Sequence, residues 1–146
     1  MTDVENKFHE NSDAVQAHLG IAQSVIQRMA TNSASCKGWC IGIVSAILVL
    51  IADKSSPHYA AIALIPIVLF LALDTYYLAL ERRFRGSYNQ FIEKLHARGI
   101  SATDLYAIVP QGSAFRAFFW AVVSFSIWPF YLTLGLMVAI AWQYVL

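Results

Sequence analysis

Residues 71–85 read LALDTYYLALERRFR, an apolar stretch that contains one aspartate and two tyrosines and ends in a cluster of charge. The apolar segment that includes its first half, 59–80, has the ~20 residues that a helix needs to cross a bilayer. An ionisable side chain at membrane depth is costly and usually has a partner. The stretch therefore predicts a membrane-spanning helix whose Asp74 is paired.

The composition favours an integral membrane protein. Hydrophobic residues make up 58% of the 146 residues and charged residues 13%, which is about half the charged share of a typical soluble domain. The apolar residues are grouped in blocks, as membrane spans require. We therefore expect an all-α integral membrane protein that forms a single membrane domain over residues 1–146. The formal net charge of +1 does not indicate an acidic partner.

Hydrophobic periodicity and turn residues divide the chain into five segments. They are a cytoplasmic amphipathic helix at 11–33, span 1 at 34–52, span 2 at 59–80, a cytoplasmic helical segment at 81–116 and a long third span at 117–146. The apolar stripe of the first helix packs either on the rest of the protein or on another copy.

Several residues are predicted to shape these segments. Pro66 is expected to bend span 2, and Gly99 to end a short helix. Ser101 and Asp104 have the spacing of a capping box. The charge-free C-terminal block is ~45 Å long as a helix, too long for one upright span. It is therefore either one span kinked at Pro129 or an interfacial helix followed by a span.

Positively charged loops orient a membrane protein with its basic residues in the cytoplasm. The loop at 53–58 holds one lysine, whereas the segment at 81–116 holds six basic residues. We therefore expect a multi-pass inner-membrane protein with a cytoplasmic N-terminus and with the 53–58 loop outside.

No set of residues typical of catalysis or of cofactor or metal binding accompanies the spans, so we expect no enzymatic activity, no cofactor and no metal. Cys36 and Cys40 are too few for a zinc site. They are interpreted as small packing residues, with acylation at the membrane edge as the alternative. The four histidines are predicted to be solvated or interfacial: His9, His18, His58 and His96.

Depth matching identifies a partner for Asp74. If spans 1 and 2 are antiparallel about a loop centred near residue 55, residues whose numbers sum to about 111 lie at equal depth. Lys37 and Asp74 satisfy this condition, ~24 Å from the outer loop and just inside the cytoplasmic boundary. An ion pair between them would lower the cost of burying each charge.

Other polar residues extend this pair toward the cytoplasm as two facing stripes, which we call the polar seam. The seam comprises Arg28, Asn32 and Lys37 on the first helix and Asp74, Tyr77, Glu81, Arg82 and Arg85 on the second. Asn32 and Glu81 are at matching depth as well. The seam either fixes the pairing of the two helices or faces the lumen of an oligomer.

The segments RMATNS (28–33), KGW (37–39) and LDTYYLALERRFRGSY (73–88) resemble a family of small bacterial multi-span membrane proteins. Their plan of cytoplasmic helix, membrane hairpin and cytoplasmic helix is similar to that of SLATT-type and retron-associated transmembrane effectors of anti-phage defence. The resemblance covers roughly residues 25–95, and the apolar C-terminal block is an addition to the plan.

The resemblance implies a non-enzymatic effector that partners hold quiet until it oligomerises and permeabilises the inner membrane. The implied partners are the lipid bilayer, further copies of the chain and a cytoplasmic protein from the same operon, without direct sequence-specific binding of nucleic acid. The alternative function is a membrane-anchored sensor or scaffold subunit that binds a cytoplasmic defence protein through residues 81–116.

Overall fold

The computed structural model describes residues 8–53 and 61–144, and this part of the chain is helical without any strand. Its four α-helices are α1 (Asp13–Asp53), α2 (Leu64–His96), α3 (Ala114–Val122) and α4 (Trp128–Tyr144), with a 3-10 turn at Ala102–Asp104. The predicted all-α class is confirmed. The number and layout of the helices differ from the prediction.

α1 is one continuous helix of 41 residues, about 62 Å long. The segments predicted at 11–33 and 34–52 are therefore parts of one helix, and no boundary lies between them. Asn32, Ser33 and Ser35 lie inside the helix without interrupting it, since such residues cost only a few tenths of a kcal/mol each in a helix. Packing against α2 along most of its length outweighs that cost.

α2 also passes through a predicted boundary, because it continues beyond residue 80 to His96. Pro66 is the third residue of α2, where backbone N–H groups have no helical acceptor, so it needs no bend. The left-handed residue that ends α2 is Arg98, with φ 55°, and not Gly99. The Gly99 and Arg98 N–H groups donate to the Lys94 and Leu95 carbonyls, in the pattern of a Schellman motif.

The C-terminal block forms two helices instead of one long third span. α3 has 9 residues and α4 has 17. The turn between them lies at 123–127, where the Ser124 N–H donates to Ala121 O. Pro129 does not divide the block. It lies in the first turn of α4, a position that proline tolerates.

The helices pack around two separate apolar clusters. In the larger cluster, Ile127, Tyr131, Leu134 and Val138 of the C-terminal block lie at steps of 4, 3 and 4 and contact the α1–α2 hairpin. The smaller cluster joins Val15 of α1, Phe91 and Leu95 of α2, and Leu105 of the following loop. We call the end of the hairpin that holds the smaller cluster, α1 residues 13–33 with α2 residues 82–96, the stalk.

The apolar stripe of the first helix packs inside this stalk, with Val15 and Ala22 buried.

Outside the stalk, large apolar side chains point outward. In the most apolar 18-residue stretch of each long helix, 22% of the α1 residues and 33% of those in the helix that includes α2 are buried. Both helices are long and apolar enough to cross a membrane.

Candidate functional site

The buried ion pair between α1 and α2 is the centre of the candidate site. Lys37 Nζ lies 2.5 Å from Asp74 Oδ2, which confirms the predicted pairing. The Asp74 side chain is fully buried, whereas 22% of the Lys37 side chain is exposed. The Ser33 hydroxyl, one turn before Lys37 on α1, donates to Asp74 Oδ1. Asp74 Oδ1 therefore accepts a hydrogen bond from α1, whereas Oδ2 faces the Lys37 ammonium as an ion pair without the geometry of a hydrogen bond.

α4 closes the site from the third side. The Tyr131 hydroxyl donates to the Phe70 carbonyl at 3.1 Å, one turn from Asp74 along α2. Cys36 and Cys40, also on α1, are buried, as the packing interpretation predicts. The site is thus a polar layer inside an apolar three-helix contact.

Thr75 is the weak point of this layer. Its side chain is fully buried, and its hydroxyl has no hydrogen-bond partner within the described residues. A buried hydroxyl without a partner costs about 1 to 3 kcal/mol. The Thr75 hydroxyl is therefore an unfavourable group in this packing. It lies next to Asp74, whose carboxylate is the one fully buried carboxylate among the described residues.

The predicted seam does not continue as one contact surface toward the stalk. Glu81 accepts from Arg85 Nε at 2.8 Å, one turn along its own helix, and not from Asn32. Arg28 is exposed, and Asn32 and Tyr77 are half-buried. The Tyr77 ring meets Tyr76 edge to face, with ring centroids 5.6 Å apart. Asp74 is therefore the one fully buried residue of the seam, and Lys37 is the seam residue of α1 that pairs with it.

Arg82 serves a different contact from the one predicted. Its guanidinium donates to the Trp120 carbonyl at 3.2 Å and to Ser124 Oγ at 2.7 Å. These groups lie at the end of α3 and in the turn before α4, where carbonyls lack helical partners. Arg82 therefore fixes the corner from which α4 runs antiparallel to α2 toward Phe70.

A second set of polar contacts attaches the loop after α2. Arg83 donates to the Gln111 and Pro110 carbonyls at 3.0 and 3.2 Å, and Ser87 Oγ donates to Val109 O. Farther along, Lys94 lies 2.7 Å from Asp104, which forms the predicted capping box with Ser101. These contacts lower the pKa of Asp104 to about 2, chiefly through the hydrogen bond from Lys94.

His18 is buried in the stalk, so the prediction of a solvated side chain is wrong for this residue. Its ring stacks on Phe91, with centroids 4.1 Å apart. Its Nδ1 accepts the Tyr106 N–H at 2.9 Å, and Tyr106 has a left-handed φ of 64°. Burial lowers the pKa of His18, although Asp104 opposes the shift. His9 and His96 are exposed, and His58 lies outside the described residues.

No known protein family, curated protein or solved structure matches this chain. Within residues 8–53 and 61–144, no group of three or more histidine, cysteine or acidic residues is placed to hold a metal ion. What the site can do is hold three helices together, because Lys37, Ser33 and Tyr131 each bring a polar group to α2.

Sequence reasoning missed the roles of Ser33, Thr75 and Tyr131. Ser33 had a usable signal, because it lies one turn from Lys37 and hence on the same helix face. The sequence signal for Tyr131 was weaker: its hydroxyl lies in the middle of a charge-free block and not at the ends of that block. Its partner could not be deduced, since the turn at 123–127 decides where α4 lies.

Proposed function

We propose that this protein is a non-enzymatic membrane effector of a bacterial defence system. The α1–α2 hairpin and α4 are embedded in the inner membrane, and the stalk lies in the cytoplasm. The buried Lys37–Asp74 pair holds the closed state. In the active state the protein oligomerises and permeabilises the bilayer.

The observation that carries the proposal is the inverted distribution of polarity. In the most apolar stretch of each long helix, about a third of the residues or fewer are buried, whereas an ion pair and several hydroxyls lie between the helices. A soluble protein rarely exposes so large an apolar surface, and lipid is the solvent that favours it. The core helix of a soluble protein would instead be mostly buried.

The buried polar layer gives a physical route from the closed to the active state. Moving α4 away would expose Asp74, Lys37 and Thr75 to lipid, where polar side chains are costly. Association with further copies would bury these groups again around a shared polar interior. The orphaned Thr75 hydroxyl and the antiparallel docking of α4 both support a closed state that can be released.

The defence context and the operon partner rest on the similarity in plan between residues 25–95 and the membrane effectors of anti-phage defence. The stalk and the loop at 97–113 provide the cytoplasmic surface on which such a partner would act. The Arg82 contact to the α3–α4 corner links that surface to α4.

Expression in bacteria tests the proposal. Alkaline extraction and flotation should show the protein integrated in the membrane. Cells that express Lys37→Met should depolarise and take up dye sooner than cells with equal amounts of wild-type protein, because the closed state is weakened. Arg85→Met, which removes the exposed partner of Glu81, is the matched control. Cells that stay polarised with both wild type and Lys37→Met would refute the effector function.

A scaffold function is the second candidate, favoured by one observation. A cleft of about 250 Å³ lies between the stalk and residues 103–111, lined by polar side chains that include Gln90, Lys94 and Asp104. It could accept side chains of a cytoplasmic protein. A soluble partner that co-purifies with the wild type but not with Gln90→Ala, from cells that stay polarised, would favour this function.

A further inference from the structure

α3 lies along α2 and leaves an apolar groove of about 340 Å³ between the two helices. One wall is a stripe on α2 that runs from Tyr76 through Ala79 to Arg83, and the other is formed by Phe115 and Phe118 of α3. The volume lies within the range of ~300–1,000 Å³ that is usual for small-molecule sites.

The groove is open along its length. Phe115 is 83% exposed and Phe118 is 37% exposed. Because its walls are apolar, the groove favours an apolar occupant over water. A flexible apolar ligand such as an acyl chain would supply the missing contacts.

Positive charge is concentrated at one end of this groove. The Arg83 guanidinium is held by the Pro110 and Gln111 carbonyls through Nε and Nη2, which leaves further N–H donors for an anion. Arg116 is exposed in the first turn of α3, outside the lining of the groove. The amino end of α3, which begins at Ala114, adds the positive partial charge of a helix N-terminus.

The height of the groove matches the junction of acyl chains and headgroups, if the hairpin is embedded as proposed above. From Ala61, a hydrocarbon core of ~30 Å corresponds to about 20 helical residues, which places its inner boundary near Glu81. Tyr76 then lies inside the hydrocarbon layer. Arg83 lies ~3 Å beyond the boundary, at the level of the headgroups.

We infer that the α2–α3 groove binds one anionic phospholipid of the inner leaflet. An acyl chain occupies the groove between Tyr76 and Phe118, and the phosphate lies beside Arg83 at the amino end of α3, where the long Arg116 side chain can approach it. A free phosphate would leave the apolar walls uncovered, and an apolar peptide would leave the two arginines without a counter-charge. The bound lipid would stabilise α3 against α2 and hence the corner that positions α4.

The test uses full-length protein reconstituted in vesicles of equimolar phosphatidylglycerol and phosphatidylcholine with identical acyl chains. Mass spectrometry of gently extracted protein measures which lipid stays bound. We expect preferential retention of one phosphatidylglycerol. Arg116→Gln should weaken retention about fivefold, and Ala114→Phe, at an exposed position in the groove wall, should abolish it by filling the groove.

Two matched controls make the test specific. Ala139→Phe adds the same side chain at an exposed position on α4. Arg28→Gln removes an exposed arginine that lies nine residues from Lys37 on α1. Arg83 lies nine residues from Asp74 on α2, so Arg28 and Arg83 are at similar heights. Both should retain phosphatidylglycerol like the wild type. Equal retention of both lipids, unchanged retention in Ala114→Phe, equal loss in Arg28→Gln, or competition by inorganic phosphate would each overturn the inference.

The result also separates this inference from the proposed function. Protein that alkaline carbonate removes from the vesicles contradicts membrane embedding itself. Protein that stays embedded but shows no preference for phosphatidylglycerol contradicts the lipid site alone.

Discussion

Replacing Lys37 with methionine removes the charge that faces the fully buried Asp74 carboxylate while retaining a side chain of similar length. The carboxylate keeps the Ser33 hydroxyl as its remaining donor in the described part of the chain. Removing one partner of a buried ion pair costs about 3 to 5 kcal/mol. We therefore expect Lys37→Met to lower the free energy of unfolding by that amount.

The reverse substitution should cost less, because the two partners are not equally buried. Asp74→Asn leaves the Lys37 ammonium without a partner, but 22% of that side chain is exposed and its flexible stem can turn toward water. The asparagine oxygen can still accept from Ser33. We expect a loss of about 1 to 2 kcal/mol. The double variant has no unpaired buried charge, so its loss should be smaller than the sum by about 2 kcal/mol.

Reversible unfolding in mixed micelles, followed by circular dichroism and tryptophan fluorescence, measures these differences. The pair of Glu81 and Arg85 is the control, because Arg85 is 61% exposed and such a pair one turn apart on a helix contributes about 0.3 to 0.5 kcal/mol. Lys37→Met that costs no more than Asp74→Asn would refute the argument from unequal burial. Strict additivity in the double variant would refute direct coupling.

Four further substitutions or conditions test other contacts. Thr75→Val should raise stability by about 1 kcal/mol, because it removes a buried hydroxyl without a partner; a loss in the same unfolding assay would show that the hydroxyl is satisfied. Arg98→Gly should also raise it by about 1 kcal/mol, since glycine adopts a positive φ without strain, and an unchanged midpoint would contradict this. Arg82→Gln should cost about 1 kcal/mol and increase hydrogen exchange at the Ser124 amide, whose N–H donates to Ala121 O in the corner, whereas unchanged exchange would contradict the role of Arg82 there. The pKa of His18 is lower in the folded protein than in the unfolded chain, so below pH 6.5 the unfolded chain binds a proton that the folded protein does not. As pH falls below 6.5, the free energy of unfolding should therefore decrease and amide exchange at Tyr106 should increase. Both effects should be absent in His18→Gln. The contribution of Asp104 is present above its usual pKa of 3.8 and should be lost separately, as pH falls through about 2.

The pairing of Lys37 with Asp74 was predictable because the rise of a helix is constant. Once two long apolar segments are known to be antiparallel helices, counting from the connecting loop gives the relative height of every residue. The capping box at Ser101 was predictable for a similar reason, since it depends on local spacing alone.

Other features depend on contacts between distant parts of the chain, and the sequence did not reveal those contacts. The segments predicted at 11–33 and 34–52 form one continuous helix because both pack against α2, although local helix propensity suggested a boundary near Asn32. The burial of His18 depends on the loop that brings the Tyr106 N–H to its ring. Arg82 was assigned to the seam by helical periodicity, but its partner Ser124 lies 42 residues away.

By itself, the sequence determined an all-helical chain with two long apolar helices and the heights of their charged residues, because composition and helical rise fix these properties locally. The tertiary structure decided which of those residues face each other. The turns at 97–113 and 123–127 set the direction and rotation of α3 and α4, and no local pattern encodes where a helix lies after such a turn. For that reason Asp74 was predictable as a paired carboxylate, whereas its closure by Tyr131 and α4 was not.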